Sequence, residues 1–183
     1  DWSSDVCSSD LSDTLECINR YFHHNILVKL SRTTRLSNGK VHIMNKTGYA
    51  SDPFYLLHET EPHPENPGRL TAIQNRLESS EFYNNLTPIQ PRKATVDEIA
   101  NIHDLGYIAS VEQNCADHNR NLDADTVISQ DSYNAALLSA GAGMTAIDQL
   151  VDGKINNAFC AVRPPGHHAE QDRAMGFCLF NNV

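Results

Sequence analysis

Residues 132–162 read Ser132-Tyr-Asn-Ala-Ala-Leu-Leu-Ser-Ala-Gly-Ala-Gly-Met-Thr-Ala-Ile-Asp-Gln-Leu-Val151, Asp152-Gly-Lys-Ile-Asn156, then Asn157-Ala-Phe-Cys-Ala-Val162. In the first segment Tyr133, Leu137, Ala140, Met144, Ile147 and Val151 recur at spacings of four, three, four, three and four. That period predicts a helix with this stripe packed into a core. Ala140-Gly141-Ala142-Gly143 costs helix propensity, about 1 kcal/mol per glycine, so the small residues predict close approach of another backbone. Asp152-Gly153 ends the helix, with glycine at the left-handed cap, and Asn157–Val162 reads as a short buried strand. Helix, tight turn and apolar strand in succession predict an α/β domain with a parallel sheet. Ligands bind beyond the carboxyl ends of the strands in such sheets, which directs attention to the residues after Val162.

Upstream, Gly48 to His58 reads as a strand and its exit, with Phe54, Tyr55, Leu56 and Leu57 as an apolar run after Pro53. The loop His58-Glu-Thr-Glu-Pro-His-Pro-Glu-Asn-Pro-Gly68 carries three prolines, so a helix begins only near Arg69. Leu70, Ile73 and Leu77 form its apolar face. Thr95 and Glu98 make a capping-box pattern that opens a helix with Ile99 and Ile102 on one side. Leu105, Ile108 and Val111 either continue that helix or start another after His103-Asp104.

The chain has 183 residues, 40% hydrophobic and 20% charged, the balance of a globular domain. Its formal charge is −9, from 23 acids and 14 bases; such a surface repels phosphate backbones and disfavours direct nucleic-acid binding. No apolar run approaches the roughly 18–20 residues of a membrane span. Five cysteines form no CxxC pair and read as reduced thiols, which predicts a cytoplasmic protein. Residues 1–11 are dense in Ser and Asp and resemble a translated sequencing adapter. Residues 12–43, with His23-His24, Lys29, Arg32, Arg35 and the turn-like Ser37-Asn38-Gly39-Lys40, are read with them as a non-native leader rather than as a metal or catalytic pair. Met44 is the expected start, which leaves 44–183 as the domain. Asn181-Asn182-Val183 reads as the opening of a further element, so the chain is expected to be a fragment.

The strand runs into Arg163-Pro-Pro-Gly-His-His-Ala-Glu170. Two prolines donate no backbone hydrogen bonds, so the strand stops there, and Gly166 is expected to adopt φ values closed to other residues. In a regular strand His167 and His168 would point to opposite faces; a kinked loop brings both rings to one place. Paired imidazoles suit amide hydrolysis, which needs a base for the attacking water and an acid for the departing amine near neutral pH. Adjacent histidines on a surface loop are also common without any function.

Arg163-Pro-Pro-Gly-His-His-Ala169 followed by Met175-Gly-Phe-Cys-Leu-Phe-Asn-Asn-Val183 resembles the signature of the histone deacetylase family, in its class II and bacterial form. His63-Pro-Glu-Asn-Pro-Gly-Arg-Leu70 resembles the family's early loop, and Leu122-Asp-Ala-Asp-Thr126 its substrate-facing loop. The resemblance covers about residues 48–183 and implies a three-layer α/β/α fold of the arginase/deacetylase kind, cut short. It further implies His168 as general base and acid, His167 as its electrostatic partner, and Phe177 as a wall of the acyl-chain tunnel. Gly176 would let the backbone lie close to that tunnel. Asp125 would hold substrate amides at the rim, with Asp123 as competitor, and Arg69 would lie behind the site near an internal channel. Arg163 and Glu170 are given structural roles.

The same resemblance implies a catalytic Zn2+ in the intact protein, with its ligands and a carbonyl-polarising tyrosine downstream of Val183, so no residue here is assigned to metal. The fragment alone is expected to be inactive and poorly soluble. The implied substrates are acetylated protein lysine or a small acetylated amine such as an acetylpolyamine. Two other readings stand beside it. An arginase-like manganese hydrolase shares the architecture but fits Arg163-Pro-Pro-Gly-His-His less well. A non-catalytic acyl-lysine binding module has no need of paired proton carriers.

Overall fold

The computed structural model describes residues 46–183 and, by backbone alone, 26–29. The adapter-like segment, His23-His24, the 37–40 turn and Met44 lie outside the described residues. Among the described residues four strands form one sheet: β1 (Ile26–Lys29), β2 (Thr47–Ala50), β3 (Thr87–Ile89) and β4 (Asn157–Cys160), in the order β1-β4-β2-β3. β2 runs parallel to both β3 and β4, whereas β1 pairs antiparallel to β4, from Ile26 opposite Cys160 to Lys29 opposite Asn157. β1 precedes the 44–183 boundary expected from sequence. Among the described residues the α-helices are α1 (Gly68–Glu78), α2 (Val96–Ile99), α3 (Leu105–Ala116) and α4 (Ser132–Val151).

Side chains show which helix covers which face of the sheet. Tyr49 of β2 and Phe159 of β4 are register partners with rings stacked at 6.1 Å. The Tyr49 hydroxyl donates to Gln74 Oε1 on α1 at 2.6 Å. One residue on, Cys160 points its thiol at the Ala142 carbonyl of α4, 3.9 Å away. Successive strand residues face opposite ways, so α1 covers one face and α4 the other. This is the α/β/α arrangement expected from sequence.

α4 is central because it serves two cores. Leu138, Ala142, Ala146 and Leu150 pack towards the sheet, with Leu70, Ile73 and Leu77 of α1 in the same cluster. Tyr133, Ala136, Leu137 and Ala140 pack with Ile99, Ile108 and Val111 and with Leu179 and Phe180 of the C-terminal segment. The expected stripe therefore holds only in part. Ile147 and Val151 are 48% and 61% exposed, because the second core reaches along the helix only as far as Met144.

The close approach expected at the small residues is present. A Cβ on Gly141 would lie 1.9 Å from the Arg92 carbonyl oxygen and 2.7 Å from the Ala94 nitrogen. The Ala94 N–H donates to the Leu137 carbonyl at 2.9 Å, tying this segment to α4. Alanine at 141 would gain about 1 kcal/mol of helix propensity. Overpacking costs typically 1–3 kcal/mol, and a weakened hydrogen bond adds about 1. Backbone, unlike a flexible side chain, has no rotamer with which to yield. Gly141→Ala is therefore expected to destabilise the whole protein by about 1–3 kcal/mol net. Urea unfolding of the variant at or above wild-type stability would contradict this.

Two local expectations need correction. Pro53–Leu57 is a 3-10 helix rather than a strand exit. The Asp52 carboxylate accepts from the Phe54 N–H at 2.9 Å, and Pro53 stands at the first turn, an N-terminal signal that outweighs the apolar run. The capping box does form, with Thr95 Oγ1 accepting from Glu98 N and Glu98 Oε2 accepting from Thr95 N, but α2 stops at Ile99. Ile102 lies in the following turn and is 57% exposed, and α3 is a separate helix after Asp104 that buries Ile108 and Val111.

Candidate active site

Beyond β4 the chain runs through Ala161 and Val162 to Arg163, whose side chain has no exposure. Arg163 Nε donates to Glu65 Oε1 at 2.6 Å and Nη2 to Glu65 Oε2 at 2.9 Å, a two-pronged pair. Its remaining donors reach the Tyr55 carbonyl and Thr60 Oγ1. Glu65 comes from the proline-rich loop and also accepts from Arg69 Nη1 at 3.1 Å. His58 Nε2 lies 3.5 Å from Glu65 Oε2, and His58 Nδ1 is 2.6 Å from Ser132 Oγ at the start of α4. Arg69 is thus bonded inward to this cluster, with its side chain 19% exposed. The cluster anchors the residue from which the His-His loop departs.

That loop turns sharply. Gly166 is needed for space, a correction to the expectation of unusual φ: a Cβ there would lie 2.2 Å from the Phe180 carbonyl oxygen and 2.4 Å from Asn182 Oδ1. The loop brings the His167 and His168 rings to a centroid separation of 4.2 Å, tilted by 48°. His167 is half-buried and His168 exposed. Positive φ occurs instead at Gly176 (56°) and Phe177 (70°), the centre of a two-residue turn closed by hydrogen bonds between Met175 and Cys178. A Cβ on Gly176 would sit 3.0 Å from His168 Cδ2, so the glycine lets the imidazole lie against the turn. Phe177 is a non-glycine residue in the left-handed region, a conformation that costs energy and clusters at functional sites. Its ring meets His63 edge-on at 4.5 Å.

Asp123 and Asp125 part company here. Asp123 Oδ1 accepts from the Asp125 and Thr126 N–H groups at 3.0 and 2.6 Å, so its carboxylate folds its own loop. Asp125 is exposed, and Thr126 Oγ1 donates to its carboxylate at 3.4 Å. Burial pushes the Cys178 thiol up to about 11, with the negative charges of Glu65 and then Asp125 adding to that rise. A cavity of about 670 Å3 lies elsewhere, between α1 and β3, lined by Tyr49, Leu70, Gln74, Tyr83 and Ile89; neither histidine borders it.

Among the described residues no three His, Cys, Asp or Glu side chains converge as metal ligands. The imidazole pair with its present neighbours does not form a zinc centre.

Sequence reasoning missed the Glu65–Arg163 pair, His58–Ser132, His63 against Phe177, and the loop contacts of His103. The partners are 98, 74, 114 and up to 78 positions apart, so no local period marks them. The one available signal was a glutamate inside a loop of prolines.

The cluster makes stability depend on pH. Burial pushes the Glu65 carboxyl up, but hydrogen bonds from His58 and Arg163 and the guanidinium charge outweigh it and hold it well below the ordinary 4.5. Burial lowers His58 below its ordinary 6.5, with Glu65 opposing. In both cases the unfolded chain binds protons more tightly, so acid favours unfolding. The His58 contribution is complete above about pH 6.5 and the Glu65 contribution above about pH 4.5, each declining below. The melting temperature of the whole protein is expected to fall from about pH 7 to about pH 3, in calorimetric scans, and to fall less for Glu65→Leu. A melting temperature that holds or rises across that range would contradict the assignment.

Residues 63–183 match the histone deacetylase domain model. The chain is 40% identical over 134 residues to a "Probable deacetylase" of Methanothermobacter thermautotrophicus, covering 72% of this chain and 38% of that protein. It is 32% identical over 166 residues to histone deacetylase 9 of Homo sapiens, covering 75% of this chain and 16% of that one. The crystal structure of the HDA15 HD domain superposes with a TM-score of 0.71 at 34% identity, over 75% of this chain and 40% of that one. The chain thus spans less than half the length of each. Since the matched region contains both the early loop that supplies Glu65 and the turn that carries His167 and His168, this chain belongs to the histone deacetylase family.

Proposed function

We propose that the protein to which this chain belongs hydrolyses the amide of an acetylated amine, such as acetyl-lysine in a protein or an acetylpolyamine, as a zinc-dependent deacetylase. The observation that carries this reading is the contact between the His167 and His168 rings where the loop after β4 turns, within the matched domain. His168, the more exposed ring, takes the proton of the attacking water and delivers it to the leaving amine. His167 stabilises the charge that develops beside it. Phe177, held by the 175–178 turn, packs the methylene stem of the substrate, and Gly176 keeps that turn close to His168. Asp125 accepts from substrate amides at the rim, since Asp123 is spent on its own loop. Arg69 remains a structural partner of Glu65 behind the site. The zinc ligands and the tyrosine are expected beyond Val183, and a cytoplasmic location agrees with buried, unpaired thiols at Cys115, Cys160 and Cys178.

The test uses the whole protein loaded with Zn2+. Acetate release from an acetyl-lysine peptide and from an acetylated polyamine is measured in parallel, and turnover of at least one is expected. Tight binding of both without acetate release would favour a non-catalytic acyl-lysine binding module and end the enzyme reading.

A further inference from the structure

Beyond the imidazole pair itself, we propose that His103 is the positioning residue that fixes it, by clamping the segment that follows the pair at both Gln171 and Asn181 through one tautomer. His103 is 2% exposed, in the turn before α3. Its Nε2 accepts from the Asn181 N–H at 2.8 Å, and its Nδ1 meets the Gln171 carbonyl at 3.2 Å. The two partners bracket the Gly176–Phe177 turn, and Gln171 lies three residues after His168.

A backbone N–H only donates, so Nε2 must present its lone pair. The ring proton therefore sits on Nδ1, where it is donated to Gln171 O, and only the neutral Nδ1–H tautomer makes both bonds. Neighbouring contacts reinforce the grip. The Asp104 N–H also donates to Gln171 O at 3.0 Å, and Gln171 Nε2 donates to Asp104 Oδ1 at 2.8 Å. Asn181 Nδ2 reaches the Ala169 carbonyl, one residue from His168, at 3.3 Å. The His103 ring is held among Tyr107 and Phe180 at 5.3 and 5.6 Å. Losing the clamp frees the loop while the Arg163 anchor at its start stays in place. The histidines then drift relative to the substrate, and a displacement near 1 Å costs about 100-fold in rate.

The kinetic role rests on the deacetylase reading; the clamp does not. In the whole protein, His103→Phe keeps the ring volume but no acceptor, whereas His103→Gln keeps an acceptor near the Nε2 position. His103→Phe is expected to lower kcat about 10- to 100-fold with little change in KM, and His103→Gln to recover most of that loss. Long-range 1H–15N spectra of wild type are expected to show a pyridine-like Nε2 and a protonated Nδ1. A protonated Nε2 in wild type overturns the proposal. So does an unchanged kcat in His103→Phe, or a loss in His103→Gln as deep as in His103→Phe. Should His103→Phe fail to fold, the tautomer and the His103→Gln kinetics still decide. A wild-type protein without deacetylase activity would sink the enzyme reading, and the nitrogen shifts would then judge the clamp by themselves.

Discussion

Replacing Glu65 with leucine is expected to destabilise the whole protein by about 3–5 kcal/mol, because it strands a buried charge. Arg163 has no exposed side-chain surface and donates two of its four hydrogen bonds to the Glu65 carboxylate. Without that carboxylate the guanidinium stays desolvated beside two hydroxyl or carbonyl oxygens that cannot neutralise it. Arg69 loses its bond to the same carboxylate, which adds to the local positive charge. The pair as a whole is a different matter. A buried ion pair gains in attraction roughly what it loses in hydration, so Glu65→Leu combined with Arg163→Met is expected to cost far less than Glu65→Leu alone. Urea denaturation of the single and double variants checks this. Equal destabilisation in the two would mean that packing, rather than charge, governs the site.

His168→Ala in the whole protein is expected to lower kcat by about 100- to 10,000-fold, the range typical for a general acid–base group. KM should change little, since the side chain assigned to the substrate stem is Phe177. Folding should be spared as well: His168 is exposed, and its ring faces His167 and the Gly176 backbone rather than a core. His167→Ala should cost less, because it removes charge stabilisation while the proton carrier remains. The comparison is made by steady-state kinetics on an acetyl-lysine peptide, with melting temperatures as the control for folding. A His168→Ala protein retaining more than a tenth of wild-type kcat would remove His168 from the proton-transfer role.

These two sites differ in how visible they are in one dimension. His167 and His168 are neighbours that follow a strand and two prolines, so their convergence was readable from local rules of chain geometry. Glu65 looked like one more polar residue in a loop. Apart from the prolines around it, nothing announced that it would lie 2% exposed opposite an arginine 98 positions later. The same division runs through the fold. The helix over Ser132–Val151, the glycine cap at Gly153 (φ 71°) and the Thr95–Glu98 box depend on spacings of four residues or fewer. The exposure of Ile147 and Val151 depended on how far a separate core extends along α4, which no period encodes.

The sequence by itself determined the α/β class, the order of most elements, the family, and the loop that holds the two histidines, because each of those is written in short-range backbone preferences or in contiguous motifs. Only the tertiary structure decided that Gly166 is a glycine for want of room, that Glu65 balances Arg163, and that His103 ties residues 171 and 181 together. Steric room and the hydration of a charge are set by atoms that arrive from distant parts of the chain, and their cost exists only once those parts have met.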